Sequence, residues 1–495
     1  MMKKLLLIIS VALLTYSGYA QKHKIEVQVK GLSDTTLLLG YHYGEKKLVA
    51  DTIRVDSKGR GVFEGDSLLD GGLYLVLTPN LRYFELIIDK DQEFKVVTDT
   101  ADLFANLQIE GSLDNQVFLD YQKKSGELYK KRKPVYDQLK AYYDIKDSVG
   151  LSTTQKQVIA DSIKILQDNL TAIQKEMMQY EDENIIKKYP KGLLTSILLC
   201  TRDIDIPDYP RNEKGEITDS LFKYHYLKNH YFDNVNLGDE RLLKTPVYEM
   251  KIDNFFDREV IQLPDSIIPE VDKLMNKILV QENKGYEGKM YYHTLHHMFM
   301  KYQNPKYMGL DNIFVYIMEQ YYLKDKLPKR VIADTAYMSK IKKRYDEMSK
   351  NRIGIKAPDL MLYSNKEEWM KLNSIQADYI VLYFWDIECG HCKKTIPEWN
   401  DLYLSNIFKD KGVVSVLVYT QTEMEDWKKF IIDKNLGTNI NLFDPYQNTN
   451  FRQLYDIYST PVSYVLDKNK KIIAKRIPPE TIVDLLNHEL ALKKK

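Results

Sequence analysis

The chain has 495 residues, which at the usual size of about 150 residues per domain corresponds to about three domains. Hydrophobic residues make up 44%, enough for packed cores, and this excludes a disordered protein. The 71 basic and 70 acidic residues nearly balance, which argues against a nucleic-acid partner, and three cysteines exclude a disulfide-stapled scaffold.

The first 20 residues have the pattern of a secretory signal peptide. Lys3 and Lys4 precede the apolar stretch 5–14, and Gly18 and Ala20 place small residues before a cleavage point. As a helix this stretch would span about 15 Å, half of a bilayer core, so a retained membrane anchor is the less favoured alternative. We therefore expect a periplasmic or otherwise extracytoplasmic protein that is soluble after cleavage.

Residues 21–111 alternate apolar and polar side chains in short runs. Ile25-Glu26-Val27-Gln28-Val29 is the first, and turn sequences such as Asp56-Ser57-Lys58-Gly59 separate the seven runs. This spacing predicts a small antiparallel β-sandwich. It contains no catalytic constellation, and its function stays open.

Residues 112–350 change to helical spacing and predict an all-α domain, also of unknown function. An apolar stripe from Val158 to Met177 indicates one long helix. His293, His296 and His297 could share a helix face, but without a complete ligand motif we expect packed histidines and no metal. Cys200 ends an apolar run, which favours a buried, inert thiol over a third redox thiol.

Residues 352–495 alternate strands and helices, which is typical of a mixed sheet covered by helices. The apolar run 379–385 is followed directly by Cys389-Gly390-His391-Cys392, where a helix is expected to begin. Residues i and i+3 of a helix lie about 5–6 Å apart, close enough for a disulfide bond. The positive N-terminal end of the helix favours the thiolate of Cys389, and a charged His391 would add to this effect. A zinc site would need a second ligand pair, which is missing here.

The segment 357–495 resembles the thioredoxin superfamily, in particular the extracytoplasmic TlpA/ResA-type thiol–disulfide oxidoreductases. The matching motifs are Ala357-Pro358-Asp359-Leu360, Phe384-Trp385, Pro397-Glu398 and Tyr458-Ser459-Thr460-Pro461-Val462. The whole layout also resembles multidomain Bacteroidetes proteins that place other β and α domains before such a module.

The resemblance implies a thioredoxin fold in which Cys389 is the nucleophile and Cys392 the resolving thiol. It implies a cis peptide before Pro461 and a substrate-binding surface formed by Thr460, Pro461 and Trp385. No cofactor is implied beyond the redox-active pair Cys389–Cys392.

Three positions depart from the family pattern. Tyr383 stands where a buried acid is usual, Glu388 replaces an aromatic residue, and Thr395 replaces a glutamate. A carboxylate beside Cys389 should disfavour the thiolate. The dipeptide Gly390-His391 suggests a more oxidising pair than Gly-Pro would. We therefore assign redox tuning to Glu388, Gly390 and His391.

Together these patterns predict an oxidoreductase that reduces protein disulfides, with protein thiol or disulfide substrates and a membrane thiol redox partner. Two alternatives stay open. One is a disulfide oxidase or isomerase that uses the same residues, and the other is a non-catalytic client-binding scaffold. A thiol peroxidase would need a different local cysteine motif. The sequence sets no oligomeric state.

Overall fold

A computed structural model describes residues 22–148 and 150–492. The predicted signal peptide and the three terminal lysines lie outside these residues. The contacts group into two compact units, one ending at Phe255 and one beginning at Phe256. This division falls inside the predicted helical domain, so its helices belong partly to each unit. No helix in the described ranges is long and apolar enough to cross a membrane.

The first unit begins with two four-stranded sheets that enclose one apolar core. The strands are β1 (His23–Lys30), β2 (Thr36–Tyr43), β3 (Lys46–Arg54), β4 (Arg60–Gly65), β5 (Gly72–Leu77), β6 (Tyr83–Ile88), β7 (Glu93–Asp99) and β8 (Gln108–Glu110). The sheet orders are β4-β1-β7-β8 and β3-β2-β5-β6. The predicted sandwich is confirmed, with two corrections. The three-residue strand β8 was not among the seven predicted runs and pairs with β7 at the edge of the first sheet. β1 and β7 pair in parallel, because the intervening chain crosses to the second sheet and back.

Five α-helices follow among the described residues of the first unit. They are α1 (Leu113–Ile145), α2 (Thr153–Glu181), α3 (Leu193–Thr201), α4 (Phe222–His230) and α5 (Val247–Asn254). Helices α1 and α2 form a long hairpin, in which Lys124 and Lys131 both contact Glu176. Ser112 caps α1, and Ser152 with Gln155 forms a capping box at the start of α2.

The second unit opens with α6 (Pro264–Glu282), α7 (Lys289–Gln303), α8 (Asp311–Ile317), α9 (Lys329–Ile332) and α10 (Thr335–Met348). Seven strands then form one sheet: β9 (Met361–Ser364), β10 (Trp369–Lys371), β11 (Tyr379–Trp385), β12 (Val413–Tyr419), β13 (Ile440–Phe443), β14 (Val462–Asp467) and β15 (Ile472–Lys475). Between and after them lie α11 (Gly390–Ser405), α12 (Met424–Asp433), α13 (Phe451–Leu454) and α14 (Pro479–Leu492).

The sheet order is β10-β9-β13-β12-β11-β14-β15. β11 pairs in parallel with β12 and antiparallel with β14. All seven residues of β11 are buried, and successive side chains alternate between two apolar clusters on opposite faces of the sheet. An uninterrupted apolar run is typical of such a central strand. The predicted thioredoxin fold is confirmed.

Candidate active site at the start of helix α11

The Cys-Gly-His-Cys motif lies where the central strand β11 ends and α11 begins, as predicted. Asp386 shapes the connecting turn. Its carbonyl oxygen accepts from the backbone N–H of Cys389 at 3.3 Å, and its carboxylate accepts from that of Glu388 at 2.8 Å. Cys389 is the N-cap residue, with φ −79° and ψ 118°. The buried strand and the capped helix therefore fix the position of the first thiol.

Hydrogen bonds connect the Cys389 sulfur to backbone groups on both sides of the site. The backbone N–H of Cys392 donates to it at 3.4 Å, and the thiol itself donates to the carbonyl oxygen of Thr460 at 3.1 Å. Partial burial acts to raise the pKa of Cys389. Hydrogen bonds with the side chain and backbone of Cys392, the side chain of Thr460 and the backbone of His391 outweigh this effect of burial, so the pKa lies below the ordinary value of 9.0. This half-buried sulfur is poised to ionise.

The Cys392 thiol has the opposite character. It is fully buried in the apolar cluster on one face of the sheet, and burial raises its pKa to about 12. Neither thiol is in a disulfide bond in this structure. The two sulfurs thus differ in both exposure and acidity, as an attacking thiol and a resolving thiol should.

The three predicted tuning residues lie at the surface beside Cys389. Gly390, His391 and Glu388 are all exposed. His391 acts on Cys389 through its backbone N–H. The expected contribution of its ring charge is therefore joined by a backbone contribution that the sequence did not predict.

Trp385 has a different environment from the one predicted. Its side chain is fully buried and packs against Tyr419 and Phe430. It belongs to the core beneath the site and offers no surface to a substrate chain.

Thr460 and Pro461 face the motif from the loop before β14. The Thr460–Pro461 peptide is cis, and both residues are half-buried. Pro461 lines a cleft of about 350 Å³ together with Tyr383 and Thr395. The structure therefore brings Cys389 and Cys392 together with Thr460 and Pro461. Cys389 and Thr460 are 71 positions apart in the sequence.

Tyr383 occupies the position of the usual buried acid. Its hydroxyl has no hydrogen-bond partner within residues 22–148 and 150–492. Burial raises its pKa above the ordinary range, and the charges of Glu480 and Glu398 add to the shift. The side chain is therefore a neutral phenol at physiological pH.

The other candidate residues lie apart from this site. His293 is buried, and His296 hydrogen-bonds with the Tyr337 hydroxyl at 3.2 Å and stacks on Phe299. Within the part of the chain that the structure describes, no three His, Cys, Asp or Glu side chains are placed to hold a metal ion. Cys200 is fully buried, which raises its pKa to about 12.

Asp386 is a further residue of the site, and no sequence motif marks it. Its carboxylate also accepts from Gln421 at 2.6 Å, which ties the turn before the motif to the end of β12. The one signal available was its place between a buried strand and a helix start, where a side-chain acceptor commonly satisfies free backbone N–H groups.

Three parts of the chain match known family models. Residues 353–475 match the AhpC/TSA family, residues 203–351 a domain of unknown function (DUF5106), and residues 23–118 another (DUF4369).

Curated relatives and a solved structure each resemble a little more than a quarter of this chain or less. Thiol-disulfide oxidoreductase ResA of Bacillus cereus is 26% identical over 140 residues, 28% of this chain and 76% of that protein. The protein of the same name from Oceanobacillus iheyensis is 29% identical over 127 residues, 24% of this chain and 62% of that protein. The crystal structure of a domain of a possible thiol-disulfide isomerase from Cytophaga hutchinsonii is 42% identical. It covers 29% of this chain and 97% of that chain, with a TM-score of 0.27.

Proposed function

We propose that the protein is a thiol–disulfide oxidoreductase that reduces disulfide bonds in other proteins, and the premise is the match of residues 353–475 to the AhpC/TSA family. The observation that carries the proposal is the asymmetry of the two thiols. Cys389 is half-exposed with a lowered pKa, and Cys392 is buried with a pKa raised to about 12.

The reaction begins with the Cys389 thiolate, which attacks one sulfur of the substrate disulfide. The S–S bond of the substrate breaks, a mixed disulfide forms, and the second substrate sulfur leaves as a thiolate that takes up a proton. The backbone N–H of Cys392, 3.4 Å from the Cys389 sulfur, supports the attacking thiolate.

Cys392 then resolves the mixed disulfide. It loses its proton and attacks the Cys389 sulfur, which releases the second substrate thiol and leaves a Cys389–Cys392 disulfide. Two electrons and two protons have passed to the substrate. Burial keeps Cys392 protonated until Cys389 is engaged, so the two steps occur in order.

The substrate chain lies against Thr460 and Pro461 in this proposal. Both are half-buried and adjacent to the Cys389 sulfur, with the Thr460 carbonyl oxygen 3.1 Å away. Backbone groups at this distance can hydrogen-bond an extended substrate peptide while the substrate disulfide contacts the Cys389 thiolate.

The wider setting follows from the sequence. We place the protein outside the cytoplasm because residues 1–20 have the pattern of a signal peptide. Thiols in that compartment become oxidised unless they are reduced continually. A membrane thiol reductant would return two electrons to the Cys389–Cys392 disulfide. The pair serves as the redox centre, and no other cofactor takes part.

The direct test is to trap the mixed disulfide. The Cys392→Ser variant should accumulate a covalent adduct with insulin that dithiothreitol releases, because the resolving thiol is missing. Cys389→Ser should form no adduct. If neither variant forms an adduct and both still support the same growth as the wild-type gene in the source cell, the chain is a scaffold. If the oxidised protein introduces disulfides into reduced ribonuclease faster than the reduced protein removes them from insulin, it is an oxidase.

A further inference from the structure

The loop that carries the cis proline is held by residues from outside the thioredoxin-like domain. We define the proline loop as residues 454–461. Residues 454, 456 and 458 of the proline loop contact one stretch of helical chain, which consists of α10 and the turn after it. These contacts lie wholly within the second compact unit, and the stretch ends inside the DUF5106 match at residues 203–351.

The first contact fixes the start of the proline loop. The side-chain amide of Asn351 donates to the carbonyl oxygen of Leu454 at 3.4 Å and to that of Glu347 at 2.7 Å. Asn351 is fully buried. It therefore joins the end of α10 to the loop through an amide that has little freedom to move.

The second contact is an ion-pair cluster around Asp456. Both terminal nitrogens of Arg344 contact the two carboxylate oxygens of Asp456, and Arg476 donates to the second of them at 2.8 Å. The Asp456 side chain is only 6% exposed. Asp456 and Arg476 both adopt left-handed backbone angles, with φ 53° and φ 55°. Non-glycine residues rarely adopt this conformation, so the cluster stabilises a backbone shape that the loop alone would not favour.

The third contact is at Tyr458, two residues before Thr460. The Tyr458 hydroxyl donates to the Glu347 carboxylate, and the Arg344 guanidinium lies 5.2 Å from the centre of the Tyr458 ring. Two positions further on, the carbonyl oxygen of Thr460 accepts from the Cys389 thiol. The anchored residues 454, 456 and 458 therefore lead directly to residue 460.

We propose that Arg344 and Glu347 of α10 are positioning residues, which hold the proline loop in the shape that receives a substrate chain beside Cys389. This inference rests on the proposed function. It assigns to the last helix of the DUF5106 segment a specific part in substrate binding. A loop held in place before binding loses less conformational entropy when the substrate arrives, so the anchors should lower KM for a protein substrate.

Tyr458→Phe is the most conservative test, because it removes only the hydroxyl that contacts Glu347. Tyr345→Phe is its matched control. The Tyr345 hydroxyl also donates to a carboxylate, that of Glu319 at 3.0 Å, but Tyr345 makes this bond from α10 itself. Both variants lose one tyrosine–glutamate hydrogen bond within the same unit, and only one of these bonds reaches the proline loop.

Steady-state reduction of insulin by the full chain, with dithiothreitol as electron donor, should separate the variants. We expect Tyr458→Phe to raise KM for insulin by about threefold to tenfold, the usual effect of losing one ordinary hydrogen bond, because the Tyr458 side chain is largely exposed to water. Its kcat should change far less, and so should its rate with the small disulfide 5,5′-dithiobis(2-nitrobenzoic acid), which needs no extended binding edge. Equal insulin KM values for Tyr458→Phe and Tyr345→Phe would overturn the proposal, as would an equal loss of rate with both disulfides.

Hydrogen–deuterium exchange tests the anchoring without relying on activity. Peptides that contain residues 459–461 should exchange faster in Tyr458→Phe than in Tyr345→Phe or the wild type. Unchanged exchange would overturn the proposal even if the wild type reduces insulin. If the wild type fails to reduce insulin, the proposed function fails, and the exchange result still decides whether α10 holds the loop.

Discussion

Iodoacetamide should alkylate Cys389 long before Cys392 in the reduced protein at pH 7. The pKa of Cys389 lies below 9.0 and that of Cys392 at about 12, so their thiolate fractions differ by about a thousandfold or more. A less basic thiolate is also a weaker nucleophile, by about threefold per pKa unit, which reduces the advantage to about thirtyfold. Because Cys392 is also fully buried, we expect the measured ratio to exceed this value.

Mass spectrometry of the cysteine peptides after timed alkylation gives the rates directly. Cys200 serves as an internal comparison, because it is fully buried and burial raises its pKa to about 12. It should react as slowly as Cys392. The pH dependence of the Cys389 rate should have its midpoint below pH 9. Alkylation of Cys392 at a rate within about threefold of Cys389 would refute the assigned asymmetry, since pKa alone predicts a larger difference.

Two further substitutions test the surroundings of the site. Lys475→Met leaves the buried Asp311 carboxylate without its cation and should destabilise the second unit by about 3–5 kcal/mol in urea unfolding followed by tryptophan fluorescence. Lys428→Met, which breaks an exposed ion pair, should cost about 0–1 kcal/mol, and equal losses would contradict the role of burial. Tyr383→Phe should leave the pH dependence of insulin reduction unchanged between pH 6 and 8, because burial keeps that hydroxyl neutral. An apparent pKa displaced by about one unit would instead make Tyr383 a proton relay.

Local sequence patterns predicted the elements that build the site. The apolar run 379–385 predicted β11, and Cys389 and Cys392 marked the start of α11, because both signals depend on neighbouring residues. Strands β9 and β10 were missed. They are only four and three residues long, at one edge of the sheet, too short for a period-2 pattern to stand out.

Long-range contacts account for what the sequence could not predict. Arg344 lies 112 positions from Asp456 and Glu347 lies 111 positions from Tyr458. No local pattern links such residues. The burial of Trp385 was likewise hidden, since a tryptophan at the end of a strand can face the core or the surface. Because apolar clusters cover both faces of β11, its side chain is buried in one of them with Val381 and Tyr383.

The reduction potential of the Cys389–Cys392 pair tests the central claim most directly. Full-length protein would be equilibrated in defined thiol buffers and its free thiols counted by the mass added on alkylation. We predict a reversible two-electron transition at about −250 mV or lower, as expected for a reductase, whereas a value near about −150 mV would favour an oxidase or isomerase. A pair that stays wholly reduced, or resists reduction at every potential, would contradict redox function altogether.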